Sequence, residues 1–121
     1  MSDLVLEEFL QEILSLPEYI GFSSIDIHTR GNWNSTPLHI AATRGSIAAI
    51  AALLDAGSEI NSRGEHGYSP LHEAVAQGNV EAVQLLLLRG ASVTAKNDDN
   101  QTPLQCCNEK KIAEILRIYA I

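Results

Sequence analysis

Apolar residues along most of the chain recur at helical spacing, in short segments that come in pairs. In the first pair, residues 37–44 have one small apolar side, and residues 47–55 carry apolar side chains three or four positions apart. A glycine follows each of these two segments, and polar residues then lead to the next pair. The pattern predicts helices at residues 37–44, 47–55, 70–77, 80–89, 103–109 and 112–120.

A proline-containing tetrapeptide begins each pair of predicted helices. It reads T-P-L-H at residues 36–39, S-P-L-H at residues 69–72 and T-P-L-Q at residues 102–105, with a constant period of 33 residues. A hydroxyl residue before proline suits an N-cap followed by proline at the first helical position. Gly45 and Gly78 then end the first helix of their units, most simply in a left-handed conformation. The period divides the chain into units at residues 31–63, 64–96 and 97–121, preceded by residues 1–30.

This repeat resembles the ankyrin repeat, whose signature is T-P-L-H-x-A at a 33-residue period. The resemblance covers residues 25–121 and leaves residues 1–24 unmatched. It implies an all-α fold, an α-solenoid of helix–turn–helix units with β-hairpin-like fingers. It also implies a concave face, made of fingers and first helices, that binds other proteins. The motif histidines His39 and His72 are expected to hydrogen-bond within their own unit and to reach towards the next one.

Residues 1–30 are expected to form an N-terminal capping helix and the first finger. Ser2 can cap a helix at residues 3–15, whose apolar residues lie largely on one side and would cover the first unit. The alternative is an acidic amphipathic helix that binds a partner. Tyr19, Ile20 and Phe22 are expected to pack against the stack.

The third unit departs from the pattern at three positions. Gln105 replaces the histidine, Asn108 replaces an apolar residue, and Lys111 replaces the glycine that ends the first helix. Lys111 puts that turn in doubt, because a left-handed conformation costs a non-glycine residue about 1 kcal/mol. The last helix carries a row of isoleucines that either fold inward or form a weak homodimer contact in an otherwise monomeric protein: Ile112, Ile115, Ile118 and Ile121. The chain stops where a further finger would begin, so we expect it to be complete.

The net charge of −7 is unevenly distributed, with −5 in residues 1–30 and −2 in the remainder. A nucleic-acid partner is disfavoured, since such proteins carry a basic stripe. Glu7 and Glu8 interrupt the only apolar N-terminal segment, so neither a signal peptide nor a membrane span is expected. Cys106 and Cys107 are adjacent and make no disulfide framework, which favours a reducing, cytoplasmic location.

Candidate catalytic or metal-binding groups are better explained by structural roles. His39 and His72 belong to the repeat motif, His28 and His66 lie in fingers without a ligand cluster, and Cys107 occupies a small-residue packing position. We therefore expect no catalytic residue, no metal and no cofactor.

Finger and groove positions that vary between units are free of the packing constraint and are the candidate partner-binding residues. Trp33 is the one tryptophan in the chain, and exposed tryptophans are frequent binding hot spots. The alternative is that Trp33 packs on the N-terminal segment. The candidates are Asn32, Trp33, Ser35, Arg44, Glu65, His66, Tyr68, Gln77, Asp98, Asp99 and Gln101.

The sequence therefore predicts a non-catalytic module that binds one protein partner and acts by occlusion. The partner would be apolar opposite the first unit and carry a basic patch opposite Asp98 and Asp99. Two alternatives stay open: an immunity or antidote protein that inhibits a toxin enzyme, and an adaptor subunit of a larger assembly.

Overall fold

A computed structural model describes the backbone of residues 2–120 and the burial of residues 4–120. It contains six α-helices: α1 Ser2–Leu14, α2 Pro37–Arg44, α3 Ile47–Asp55, α4 Pro70–Ala76, α5 Val80–Leu88 and α6 Lys110–Tyr119. Single 3-10 turns occur at Pro17–Tyr19, Glu65–Gly67 and Leu104–Cys106. Across residues 2–120 there is no β-strand, so the fold is all-α, as predicted.

The helices form two layers. The outer layer contains α1, α3, α5 and α6, each packed on the next, and the inner layer contains α2, α4 and the turn Leu104–Cys106. Between the layers lie fully buried apolar residues from successive units, including Leu38, Ile50, Leu71 and Leu86. Each unit thus buries its apolar side against its neighbours, as expected for a stacked repeat.

Thr36 and Ser69 are the N-caps of α2 and α4, as predicted. The backbone N–H of Thr36 donates to Nδ1 of His39 at 3.1 Å, and the Thr36 hydroxyl lies 2.8 Å from the same nitrogen. In the second unit, the backbone N–H and the hydroxyl of Ser69 lie at the same distances, 3.1 and 2.8 Å, from Nδ1 of His72. Since Nδ1 accepts, Nε2 carries the proton, and it donates to the carbonyl of the next finger: His39 to Tyr68 at 2.8 Å, and His72 to Gln101 at 2.9 Å. The structural role expected for both histidines is confirmed.

Gly45 and Gly78 both have φ of 69°, the left-handed conformation predicted for the helix ends. The N–H of Gly45 donates to Ala42 O, and the N–H of Ser46 donates to Ala41 O at 3.1 Å. The last carbonyls of α2 are therefore satisfied within the turn.

The N-terminal helix α1 packs on α3 and buries Phe9 and Ile13. It starts at Ser2 and ends at Leu14, each one residue earlier than predicted. Tyr19 is buried and Phe22 packs against the core, as predicted, and their rings meet edge-on with centroids 5.6 Å apart. Ile20 is 71% exposed, so its predicted packing is wrong, because the turn Pro17–Tyr19 directs it to the surface.

The predicted helix at residues 103–109 is also wrong, since only the turn Leu104–Cys106 forms and Cys107 is extended (φ −86°, ψ 131°). Lys111 explains the difference. A full helix here would need Lys111 in the left-handed conformation, whereas the chain leaves the helix early and Lys111 joins α6. The thiol of Cys107 is half-buried and donates to Glu109 O at 3.1 Å.

The isoleucines of α6 divide between core and surface. Ile112 is fully buried, Ile115 is half-buried, and Ile118 is 68% exposed. Ile121 lies outside the described residues. Within residues 2–120, no helix has the length and apolar character needed to cross a membrane.

Candidate protein-binding face

The three fingers share one turn geometry. A backbone N–H at the start of each finger donates to a carbonyl four residues later: Gly31 to Ser35, Gly64 to Tyr68 and Asn97 to Gln101, at 2.8–3.0 Å. Left-handed residues close the turns at Asn34, His66, Gly67 and Asn100. The fingers are therefore hairpin-like turns without strands, and they hold their backbone in a repeated shape.

Arginine side chains connect neighbouring fingers into one row. Arg30 donates to the carbonyl of Arg63 at 2.6 Å and to the hydroxyl of Ser62 at 2.9 Å. One unit later, Arg63 donates to the carboxylate of Asp98 at 2.7 Å. The N–H of Asp98 also donates to the carbonyl of His66 at 3.0 Å. These contacts fix the spacing of the fingers along the stack.

Glu18 occupies the place of an earlier finger at the N-terminal end of this row. Its carbonyl accepts from the N–H of Asn32 at 2.7 Å, and its carboxylate accepts from the N–H of Trp33 at 2.8 Å. The side chain is buried, and a Cβ at Gly31 would collide with it. The repeat pattern begins only after Glu18, so no sequence signal pointed to this role.

Most of the finger residues that the repeat register selected are exposed. Trp33 is 49% exposed, and its backbone N–H donates a hydrogen bond to the carboxylate of Glu18. Tyr68 and Gln101 are half-buried, and their carbonyls accept hydrogen bonds from His39 and His72, respectively. The remaining exposed candidates in the fingers are Asn32, Glu65, His66, Asp98 and Asp99.

One finger candidate, Ser35, differs from the expectation, and two candidates lie at the ends of inner helices, as predicted. Ser35 is 5% exposed, and its carbonyl accepts from the hydroxyl of Tyr19 at 3.3 Å, so its side chain is not part of the surface. Arg44 lies at the end of α2 and pairs with Glu12 of α1 at 3.0 Å. Gln77 is exposed at the end of α4.

A cavity of about 370 Å³ lies between the second and third fingers and α4. Its lining residues are Glu65, His66, Tyr68, Glu73 and Asp99. Burial, together with a smaller contribution from the charge of Glu65, raises the pKa of Glu73 to about 7, and His66 opposes the shift. The Tyr68 ring forms one wall and lies 5.3 Å from the imidazole of His72. Three carboxylates and one aromatic ring thus surround a space large enough for a side chain of another protein.

Glu73 was missed by sequence reasoning, although a signal was present. Its equivalents in the other units are Ile40 and Cys106, so a carboxylate replaces apolar residues at a half-buried position. A polar residue at such a position is a candidate for function.

The described residues contain no group of three or more His, Cys, Asp or Glu side chains arranged to hold a metal ion.

A family model that describes three copies of the ankyrin repeat matches residues 6–97. The chain belongs to the ankyrin-repeat family. The matched ankyrin region begins inside α1, earlier than residue 25, where the recognisable motif starts, and it ends before the helices of the third unit. No curated protein matches the chain. Ankyrin repeats are protein–protein interaction modules and are typically non-catalytic.

Proposed function

We propose that this protein is a non-catalytic module that holds one protein partner against its fingers and inner helices and acts by covering that partner's surface. The main support is that hydrogen bonds fix the finger backbones in one row while their variable side chains are exposed. A preorganised surface binds well because little conformational entropy is lost on association.

The partner's chemistry follows from the two ends of the row. Trp33 offers a half-exposed indole beside the first finger. The cavity beside the third finger offers Glu65, Glu73 and Asp99, while Asp98 is already paired with Arg63. The partner should therefore be apolar opposite Trp33 and should place a lysine or arginine in the cavity, where a charge-assisted hydrogen bond can form.

The identity of the partner is tested by affinity capture with the full chain, followed by mass spectrometry. A toxin enzyme would favour the antidote interpretation, and a multi-subunit complex would favour the adaptor.

The proposed compartment is the cytoplasm, where Cys106 and Cys107 remain thiols.

Trp33→Ala tests the apolar end of the face with the purified partner. The melting temperature should stay nearly unchanged, because half of the indole is exposed, while calorimetry should show binding weaker by about 2 kcal/mol or more. Leu88→Ala is the matched control, since Leu88 is exposed in the outer layer and its loss should leave binding intact. Normal binding by Trp33→Ala would mean that the partner uses another surface.

Glu73→Gln tests the cavity. Glu73 is largely protonated below its raised pKa of about 7 and ionised above it. A partner cation prefers the ionised form, so affinity should increase as the pH rises from about 6 to about 8, and Glu73→Gln should remove that increase. An unchanged pH profile in the variant would exclude a cation at Glu73.

Asp99→Asn should mainly slow association and flatten its salt dependence.

A further inference from the structure

The outer layer contains an apolar groove at its N-terminal end, between α1 and α3. The groove has a volume of about 420 Å³ and is lined by Leu4 and Val5 from α1 and by Ala48, Ala51 and Ala52 from α3. Glu8 and Asp55 are its charged members. The alanines create the space, since α5 carries Glu81, Gln84 and Leu85 at the equivalent positions.

The C-terminal end of the same layer carries an apolar ridge. It consists of Leu88 at the end of α5 and of Ile118 and Tyr119 on α6, which are 74%, 68% and 46% exposed. With Leu4 and Val5, they are five of the seven large apolar side chains that are exposed in the described part of the chain, and all five lie on outer helices. Exposed apolar side chains that gather on one layer, at its two ends, indicate an interaction surface more than exposed residues scattered over the whole molecule do.

The charges beside the groove and the ridge are complementary. The acidic residues Glu7, Glu8 and Glu12 lie on α1. The α6 helix has three basic residues, Lys110, Lys111 and Arg117, and one acidic residue, Glu114. Asp55 is already paired with Arg89, and Glu12 with Arg44. Glu8 and Arg117 form no salt bridge within the described chain, so each is free to pair with another molecule.

We propose that two copies of this protein associate through their outer layers, with the ridge of each copy seated in the groove of the other. Groove and ridge lie at opposite ends of one layer, so a two-fold axis across the layer brings both pairs together and closes the assembly. Glu8 of each copy then pairs with Arg117 of the other. The finger face stays free, so this dimer is independent of the partner proposed above.

Sedimentation equilibrium of the purified protein across a wide concentration range tests the proposal. The average mass should rise with concentration and level off at twice the monomer mass. Ile118→Ser should weaken association by about tenfold or more, because the two-fold contact loses the side chain twice. Ile20→Ser is the matched control, since Ile20 is equally exposed but lies outside the outer helices, and it should leave association unchanged.

A charge exchange tests the pairing itself. Glu8→Arg and Arg117→Glu should each weaken association alone, while an equimolar mixture of the two variants should associate again, because each contact then joins opposite charges. The proposal is overturned by a wild-type monomer at every concentration, which would leave the groove to a different occupant, or by equal losses in Ile118→Ser and Ile20→Ser. It is also overturned by a mixture that fails to associate or by a mass that passes the dimer without a plateau.

Discussion

The second and third units start from nearly the same tetrapeptide and form different structures. In the second unit, S-P-L-H leads into α4 at Pro70–Ala76, whereas in the third unit T-P-L-Q leads into the single turn Leu104–Cys106. In the second unit, His72 reaches the carbonyl of Gln101 in the following finger. In the third unit, the Gln105 side chain accepts from the N–H of Thr102 at 2.8 Å, within its own cap. A short inner helix is thus stabilised by the unit that follows it as well as by its own residues.

The glycine position shows the same contrast. Gly78 takes φ of 69° and lets the chain turn directly from α4 into α5. Its equivalent Lys111 cannot take this conformation without strain, and the chain crosses to α6 through the extended residues Cys107 and Glu109. The third unit therefore keeps its outer helix and loses its inner one.

The largest expected effect comes from the core of the second unit. Leu87 is 4% exposed, so Leu87→Ala should lower the free energy of unfolding by about 2–5 kcal/mol in chemical denaturation. Leu88→Ala, one residue further along α5, is the control and should cost little because Leu88 is 74% exposed. A loss below about 0.5 kcal/mol for Leu87→Ala would contradict the observed packing.

The next effect concerns the motif histidine that the third unit lacks. Burial lowers the pKa of His39 to about 4 from its usual 6.5, so the folded protein resists protonation while the unfolded chain does not. The stabilisation is complete above pH 6.5 and is lost as the pH falls, by roughly 3 kcal/mol at pH 4. Glu73 changes the stability in the opposite direction: because its pKa is raised in the folded protein, its contribution to the free energy of unfolding falls as the pH rises.

A comparison with His39→Gln isolates this effect, since Glu73 acts equally in both proteins. The stability advantage of the wild type should shrink between pH 7 and pH 4 in urea titrations at a series of pH values. A constant difference across that range would mean that His39 titrates normally.

Exchanging the motif residues between units sharpens the comparison directly. His72→Gln should cost about 1–3 kcal/mol, because glutamine can keep the bond to Ser69 but leaves the carbonyl of Gln101 without its donor. Gln105→His should change stability little, since the described residues include no finger beyond the third unit whose carbonyl a histidine could reach. Equal effects at both positions, measured by denaturation, would show that the bond to the next unit is unimportant.

The smallest effect is expected at the glycine turns. Gly78→Ala should cost about 1 kcal/mol, because the strain of a left-handed alanine is the main term and a new Cβ meets nothing closer than 3.7 Å. Gly45→Ala should cost more, since its Cβ would collide with the side chain of Asn79. If thermal denaturation shows a larger loss for Gly78→Ala than for Gly45→Ala, the collision with Asn79 does not determine the loss of stability.

Much of the fold could be predicted because the repeat encodes it locally. The bounds predicted for α2 and α3 agree with the structure, those for α4 and α5 differ by one residue, and α6 begins two residues earlier than predicted. The candidate surface was predictable in outline, since internal variation selects exposed finger positions. The expected exposure of Ser35 was wrong: Ser35 is 5% exposed, and its carbonyl accepts from the hydroxyl of Tyr19, which belongs to a segment outside the repeat motif.

The amino-acid sequence by itself determined the repeat, its caps, its turns and the role of the motif histidines, because these depend on residues within one unit or on the identical position in the next. Only the tertiary structure decided how the ends of the stack are formed. At the N-terminus, the buried Glu18 takes the place of a finger, and at the C-terminus an inner helix shortens to one turn. It also brought Glu65, Glu73 and Asp99 to one cavity. These features depend on what lies beside each unit, which the residues of that unit do not encode.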